Sequence, residues 1–218
     1  MRVRIIGVIA ASLLLEVLTC NAQEGKGMPA NPTTSVAPGW TYSVTASYYS
    51  FRHQDDFFLG VATAEKGPLH IEARYNYEAI DSGSLFAGWK FSGGEKIAYE
   101  LTPILGAVFG AKEGIAPGFE ASISYGIVDF YTETEYVRDL EVRQDSFTYS
   151  WNELGFSPLE WLRFGVVSQR TLVYQSERDI QRGFFAQIMY RKATLGVYDF
   201  NPDDSGSHFT VFSLGFEF

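Results

Sequence analysis

The chain has 218 residues and a net charge of −9, with 26 acidic against 17 basic side chains. That acidic balance excludes phosphate-backbone binding, which needs a basic face, so no nucleic-acid partner is expected. A content of 46% hydrophobic and 16% aromatic residues excludes a disordered chain, and a mean hydropathy near zero excludes a bundle of membrane helices.

The N-terminus reads as a secretory signal peptide. Arg2 and Arg4 precede an apolar run, Ile5 to Leu15, that Glu16 ends. Cys20-Asn21-Ala22 then places small residues before a cleavage point at Gln23, so residues 1–22 form the expected signal. The run is too short to span a bilayer comfortably as an anchor. Thr19 stands where a lipoprotein signal needs Gly or Ala. Cys20 is the only cysteine, and cleavage after Ala22 removes it. The mature chain then has no disulfide, thiol nucleophile or thiolate metal ligand. Residues 23–39 hold three Pro and three Gly without apolar periodicity and read as a flexible periplasmic leader.

From Trp40 to Phe218 the pattern has period two, with no second composition shift, so one domain is expected over 40–218. The cleanest strand is Leu69 to Glu78. Leu69, Ile71, Ala73, Tyr75 and Tyr77 share one face, and His70, Glu72, Arg74, Asn76 and Glu78 the other. Strict alternation over ten residues has no helical explanation. In Ile97 to Gly110, Ile97, Tyr99, Leu101, Leu105, Ala107 and Phe109 oppose Glu100 and Thr102. In Ile115 to Tyr125, Phe119, Ala121, Ile123 and Tyr125 oppose Glu120, Ser122 and Ser124. In Val128 to Tyr136, Val128, Phe130 and Tyr136 oppose Asp129, Glu133 and Glu135. In Phe147 to Trp151, three aromatics oppose Thr148 and Ser150.

Such segments number about twelve, near 40–51, 57–65, 69–78, 84–91, 96–110, 115–125, 127–138, 145–156, 161–175, 184–190, 193–200 and 208–218. Ten is the alternative, if 184–200 is one long strand. Ser168 and Arg170 interrupt the apolar face of the ninth, which implies a bulge or a barrel rim. Short connections (Lys66 to Pro68, Gly93 to Glu95, Gly126, Ser157 to Glu160, Arg191-Lys192) alternate with longer or more charged ones. The longer class is Arg52 to Asp56, Asp81 to Ser84, Ala111 to Gly114, Arg138 to Gln144, Ser176 to Arg182 and Asn201 to Ser207. An even-stranded barrel with both ends in the periplasm needs this alternation.

The fold class expected is therefore all-β, a transmembrane antiparallel up-and-down barrel. The apolar face is too large and aromatic to fit inside a small soluble barrel. The opposite face mixes charges with small residues, as a crowded polar lumen does. The strands have the length a tilted strand needs to cross hydrocarbon, and closure leaves no backbone group unpaired in lipid.

At the chain's end, Thr210, Phe212, Leu214, Phe216 and Phe218 alternate on one face. This resembles the C-terminal strand of bacterial outer-membrane β-barrel proteins. The resemblance implies recognition of Phe212, Leu214, Phe216 and Phe218 by the barrel-assembly machinery. It also implies an outer-membrane location, with membrane lipid and lipopolysaccharide as partners; the oligomeric state is left open. Size and strand count also resemble small twelve-stranded porin-like channels for acidic sugars, whose lumens are strongly basic. Here the expected lumen residues are His70, Glu72, Arg74, Glu78, Lys90, Glu100, Glu120, Asp129, Glu133, Glu135, Arg163 and Arg191, with Glu217 near the end. The excess of acid carries over the architecture and not the substrate.

The leading functional expectation is a porin-like channel for small solutes, where an acidic ring favours cations or neutral solutes. The alternative is a structural or loop-binding barrel whose lumen is plugged by paired charges. A lipid-modifying enzyme needs a His beside a Ser or an acid near the outer rim. His53 falls in a loop, His70 in the lumen beside Glu72, and His208 faces outward at the last strand's outer end, with no spacing that links any of them to a serine. No enzyme activity is expected. No metal-ligand cluster, phosphate-binding Gly loop or nucleophile elbow is visible, so no metal site or cofactor is expected.

Overall fold

The computed structural model describes residues 39–171 and 180–218. The expected signal peptide, residues 23–38 of the leader, residues 172–175 of the ninth strand and residues 176–179 of the expected long connection after it lie outside this range.

Thirteen strand segments make up the described chain: β1 Thr41–Phe51, β2 Phe57–Lys66, β3 Leu69–Tyr75, β4 Ser82–Trp89, β5 Phe91–Gly93, β6 Ile97–Gly110, β7 Gly114–Tyr125, β8 Val128–Asp139, β9 Phe147–Leu159, β10 Leu162–Arg170, β11 Gln181–Tyr190, β12 Ala193–Phe200 and β13 Phe209–Glu217. All pairings are antiparallel. Except for β4 and β5, each segment pairs with its sequence neighbours, β1 pairs with β13, and β4 pairs with β6. The sheet therefore closes on itself.

β4 and β5 are two halves of one strand. Gly88 pairs with Ile104 and Phe91 with Leu101, so the register is the same on both sides of the break. The residue facing Trp89 is Pro103, which has no N–H to give the ladder. The barrel thus has twelve strands, which settles the count against ten. Arg191-Lys192 is the turn that divides the 184–200 stretch.

The connections alternate as the sequence pattern implies. Residues 67–68, 94–96, 126–127, 160–161 and 191–192 turn tightly at the end that also holds residues 40 and 218. Gly67 and Gly126 adopt φ values of 57° and 62°, which favour glycine in so short a turn. The longer connections, including 52–56, 76–81, 140–146 and 201–208, gather at the opposite end. These two ends are called the turn end and the loop end below.

The outer surface is apolar. Val44, Ile71, Leu85, Leu105, Phe119, Leu154, Val166, Ile188, Leu195 and Leu214 are all exposed. Aromatic side chains gather above and below this band. Tyr42, Trp89, Tyr99, Tyr125, Trp161, Tyr190 and Phe218 stand near the turn end, and Phe58, Tyr75, Phe109, Tyr136 and Phe184 near the loop end.

Two aromatic groups sit on the side opposite to expectation. Phe147, Tyr149 and Trp151 share the phase of Glu153 and point inward, leaving Thr148, Ser150 and Asn152 on the outside. The outward polar atoms satisfy one another across the strands. Thr132 donates to Asn152 at 2.8 Å and Thr134 to Ser150 at 3.3 Å, while the Asn152 amide reaches Ser150 at 3.0 Å and Ser168 at 3.5 Å. Ser168 and Arg170 belong to this outward stripe at the loop-end rim. The irregular register of β10 lies at its other end, between Leu162 and Phe164.

Tyr77 also lies inside. β3 ends at Tyr75, and Asn76 takes a left-handed conformation at φ 56°. The Asn76 side chain donates to the Phe58 carbonyl at 2.8 Å and accepts from the Asp81 amide at 2.8 Å. Asn tolerates this geometry because its short amide bonds to the local backbone. The turn breaks the alternation and sends both Tyr77 and Glu78 inward.

Candidate functional site in the barrel interior

The interior has an aromatic part and a polar part. On the loop side lies an aromatic layer. Tyr49 stacks on Phe57 at 4.6 Å between centroids and reaches Phe209 at 6.2 Å. Phe209 stacks on Phe200 at 4.7 Å, and Trp151 meets Phe200 edge-on at 5.6 Å and Tyr198 at 5.4 Å. Tyr198 continues to Phe185 at 5.5 Å. Phe200 is 0% and Phe209 1% exposed, so this continuous run of rings leaves no water-sized gap at those positions.

Beside it, and continuing toward the turn end, lies a polar network built on two arginines. Arg74 of β3 sits between the rings of Phe86 and Tyr77, at 4.1 and 4.3 Å. Its Nε donates to Glu72, and its Nη1 lies 3.0 Å from both Glu133 and Glu135 and 3.5 Å from Glu78. Its Nη2 is 4.0 Å from Glu120. Tyr77 donates to Glu133 at 2.7 Å and Ser84 to Glu78 at 2.8 Å. Five carboxylates thus share one guanidinium. Stacking on two rings and pairing with several acids is what a planar, always-charged guanidinium allows and an ammonium does not.

Arg163 of β10 is better balanced. Its Nη2 donates to Asp129 at 2.5 Å, and its Nη1 to Glu153 at 2.5 Å and to Gln187 at 3.1 Å. Trp151 and Tyr198 complete this network. The indole N–H donates to Glu153 at 3.0 Å, and the Gln187 amide donates to the Tyr198 oxygen at 2.6 Å.

Toward the turn end the inward residues become more exposed. Lys90 bonds Glu65 at 2.6 Å and lies 3.9 Å from Glu100. Thr41, Ser43, Thr63, Lys192 and Glu217 line an open recess at this mouth. Thr45, Ser47, Ser122, Ser124 and Asp129, further in, are half-buried. The interior is therefore a blind vestibule, open at the turn end and packed from mid-barrel to the loops.

Of the residues expected in the lumen, His70, Glu72, Arg74, Glu78, Glu120, Glu133, Glu135 and Arg163 are buried inside, and Lys90, Glu100 and Asp129 point inward and are half-buried. Arg191 does not reach the interior. It occupies the tight turn at φ 56°, is exposed, and lies over the Tyr190 ring at 5.4 Å. Glu217 reaches only the mouth.

The sequence pattern missed Glu65 and Glu153. Glu65 is the last inward residue of β2, where the neighbouring charge of Lys66 blurs the face. Glu153 lies two residues beyond Trp151, and its parity was the signal that those aromatics turn inward. Also missed was the convergence of His70 and Glu72 with Glu120. The three offer ligand atoms within 4.8 Å of one another, which corrects the expectation of no metal-ligand cluster. Sequence spacing hides it because Glu120 comes from β7 and the others from β3.

His208 points outward near the loop end, with Nε2 2.8 Å from Asp199, which also accepts from Thr210 at 3.3 Å. Among the described residues, no hydrogen bond joins His208 to a serine. His53 is exposed in the β1–β2 loop.

No protein-family model matches this chain, and no curated protein sequence matches it. The class of molecule is defined by the fold alone: a closed twelve-stranded antiparallel up-and-down β-barrel.

Proposed function

We propose that this chain is a bacterial outer-membrane barrel that works with a closed interior, through its loops and its blind vestibule rather than as an open pore. The membrane reading rests on the outer surface. A soluble protein does not expose an apolar band that runs around a whole barrel. Paired aromatic girdles are the signature of interfaces at both edges of a bilayer. On β6, the longest of the described strands, Tyr99 and Phe109 are ten steps apart, about 34 Å along the strand. At a tilt of about 40° this is about 25 Å of membrane depth, the height of the apolar band in such barrels. The outward face of Phe212, Leu214, Phe216 and Phe218 would present the assembly signal, and lipid and lipopolysaccharide would surround the band.

The closed-interior reading is carried by one observation: the unbroken ring contacts from Phe57 to Phe185 beside the Arg74 cluster. A porin-like channel would need those rings to move aside. The acidic walls favour that second reading only in its selectivity, which would be for cations.

Cell fractionation with gel mobility before and after boiling tests the membrane half. The chain belongs in the outer-membrane fraction with a heat-dependent shift; a soluble periplasmic protein without a shift would overturn it. Replacing residues 140–146 and 201–208 tests the loops. Any phenotype of the deletion strain should fail to be rescued while permeability stays unchanged. Full rescue would remove the loops from the account.

A further inference from the structure

We propose that His70, Glu72 and Glu120 form a binding site for one divalent transition-metal cation of the zinc class inside the barrel. Their ligand atoms lie within 4.8 Å of one another, and each residue is more than nine-tenths buried. His70 Nε2, Glu72 Oε2 and Glu120 Oε1 have no hydrogen-bond partner. Buried polar atoms are seldom left in that state, and three such atoms facing one point call for something between them.

The imidazole is placed as a ligand. Its Nδ1 lies 3.1 Å from Glu65; with the proton on that nitrogen, the Nε2 lone pair is free for a metal. Nε2 then faces Glu72 Oε2 at 3.6 Å. A carboxylate behind a histidine that orients the ring and raises its basicity is the usual support of a metal-bound imidazole. Lys90 in turn anchors Glu65 at 2.6 Å.

Charge and donor type select the ion. Glu72, Glu78, Glu120, Glu133 and Glu135 have one guanidinium between them. Buried charges are stable only when paired or bound to metal, and a divalent cation offsets more of this excess than a monovalent one. One imidazole nitrogen with two carboxylate oxygens suits zinc and its neighbours, whereas magnesium and calcium take oxygen alone. Bonds of about 2.0–2.1 Å would bring the ligand atoms to about 3.3 Å apart, which carboxylate rotation can supply. Three protein ligands leave a fourth position for water. The half-buried residues below, Glu100 among them, give a route from the turn-end mouth.

The test uses the full mature chain, folded in detergent and stripped with chelator, with zinc alone as probe. One zinc per chain should survive gel filtration, and the melting temperature should rise with zinc concentration. Cobalt in its place should give the visible absorption of a four- or five-coordinate site with a nitrogen ligand. Substitutions His70→Gln and Glu120→Gln should abolish stoichiometric binding, and Glu65→Gln should weaken it about 10–100-fold. Asp129→Asn, in the Arg163 network, should leave it unchanged, and the boiling-dependent gel shift reports whether each variant folds. Folded wild-type chain that retains no zinc would overturn the proposal. So would zinc retained equally by a folded Glu120→Gln or His70→Gln variant.

Discussion

Arg74 on β3 and Glu135 on β8 meet at 3.0 Å inside the barrel, 61 residues apart in the chain and on strands that are not neighbours. This contact ties two separated parts of the wall directly, and it is part of a cluster in which the guanidinium is the shared cation. Removing one partner of a buried pair leaves the other uncompensated and costs about 3–5 kcal/mol.

Arg74→Met should therefore lower stability by about that amount, measured by urea unfolding in lipid vesicles. Adding Glu133→Gln and Glu135→Gln to it should recover a large part of the loss, because the orphaned charges are gone. A loss that is merely additive across the three substitutions would contradict the shared-cation arrangement.

Gly155 leaves room for the second arginine. A Cβ there would stand 2.5 Å from Arg163 Nε and 2.7 Å from Asp129 Oδ1. Gly155→Ala should displace the guanidinium and destabilise the barrel by about 1–3 kcal/mol. Gly60, where a Cβ meets nothing within 4 Å, is the matched control, and Gly60→Ala should be close to neutral in the same unfolding assay.

The aromatic layer should hold the interior shut. Trp151→Ala and Phe200→Ala should each cost about 3–5 kcal/mol of stability. Combined, they should admit a small fluorescent dye into loaded vesicles that the parent chain excludes. Vesicles equally tight with both rings removed would show that closure lies elsewhere.

At the loop end, Asp56 ties down the β1–β2 connection. Its carboxylate accepts from the Tyr48 hydroxyl at 2.5 Å and the Phe51 amide at 2.8 Å. These bonds hold its pKa below the ordinary 3.8, the Tyr48 bond contributing most. A depressed folded pKa means that the contribution is present above 3.8 and is lost as pH falls through the lower folded value. Protease protection of residues 52–56 should be full near neutrality and decline only in strong acid. Asp56→Asn should lose protection at neutral pH and show no such acid-dependent decline.

The barrel was legible in the sequence because its outside and inside differ in kind along most strands. On β6, Tyr99, Leu101, Leu105 and Phe109 can only be one face and Glu100 with Thr102 the other, so strand, phase and length follow together. The short and long connections fixed the two ends. Legibility failed where the inside is itself aromatic. Phe147, Tyr149 and Trp151 alternate with Thr148 and Ser150 as a lipid face would, and only the downstream phase of Glu153 and Leu154 reverses the assignment. It failed again at Asn76, where one left-handed residue ends the alternation that would have kept Tyr77 outside. The candidate site was half legible. The acid and base residues of single strands could be listed, but Glu72 and Glu120 approach each other only because closure brings β3 and β7 to one interior.

The most direct test of a closed barrel in a membrane is single-channel recording in planar bilayers with the purified, folded chain. Insertion should occur without conductance steps, and Trp151→Ala with Phe200→Ala should produce them. Steady, cation-selective steps from the unaltered chain would contradict the closed interior and return the molecule to the porin-like reading.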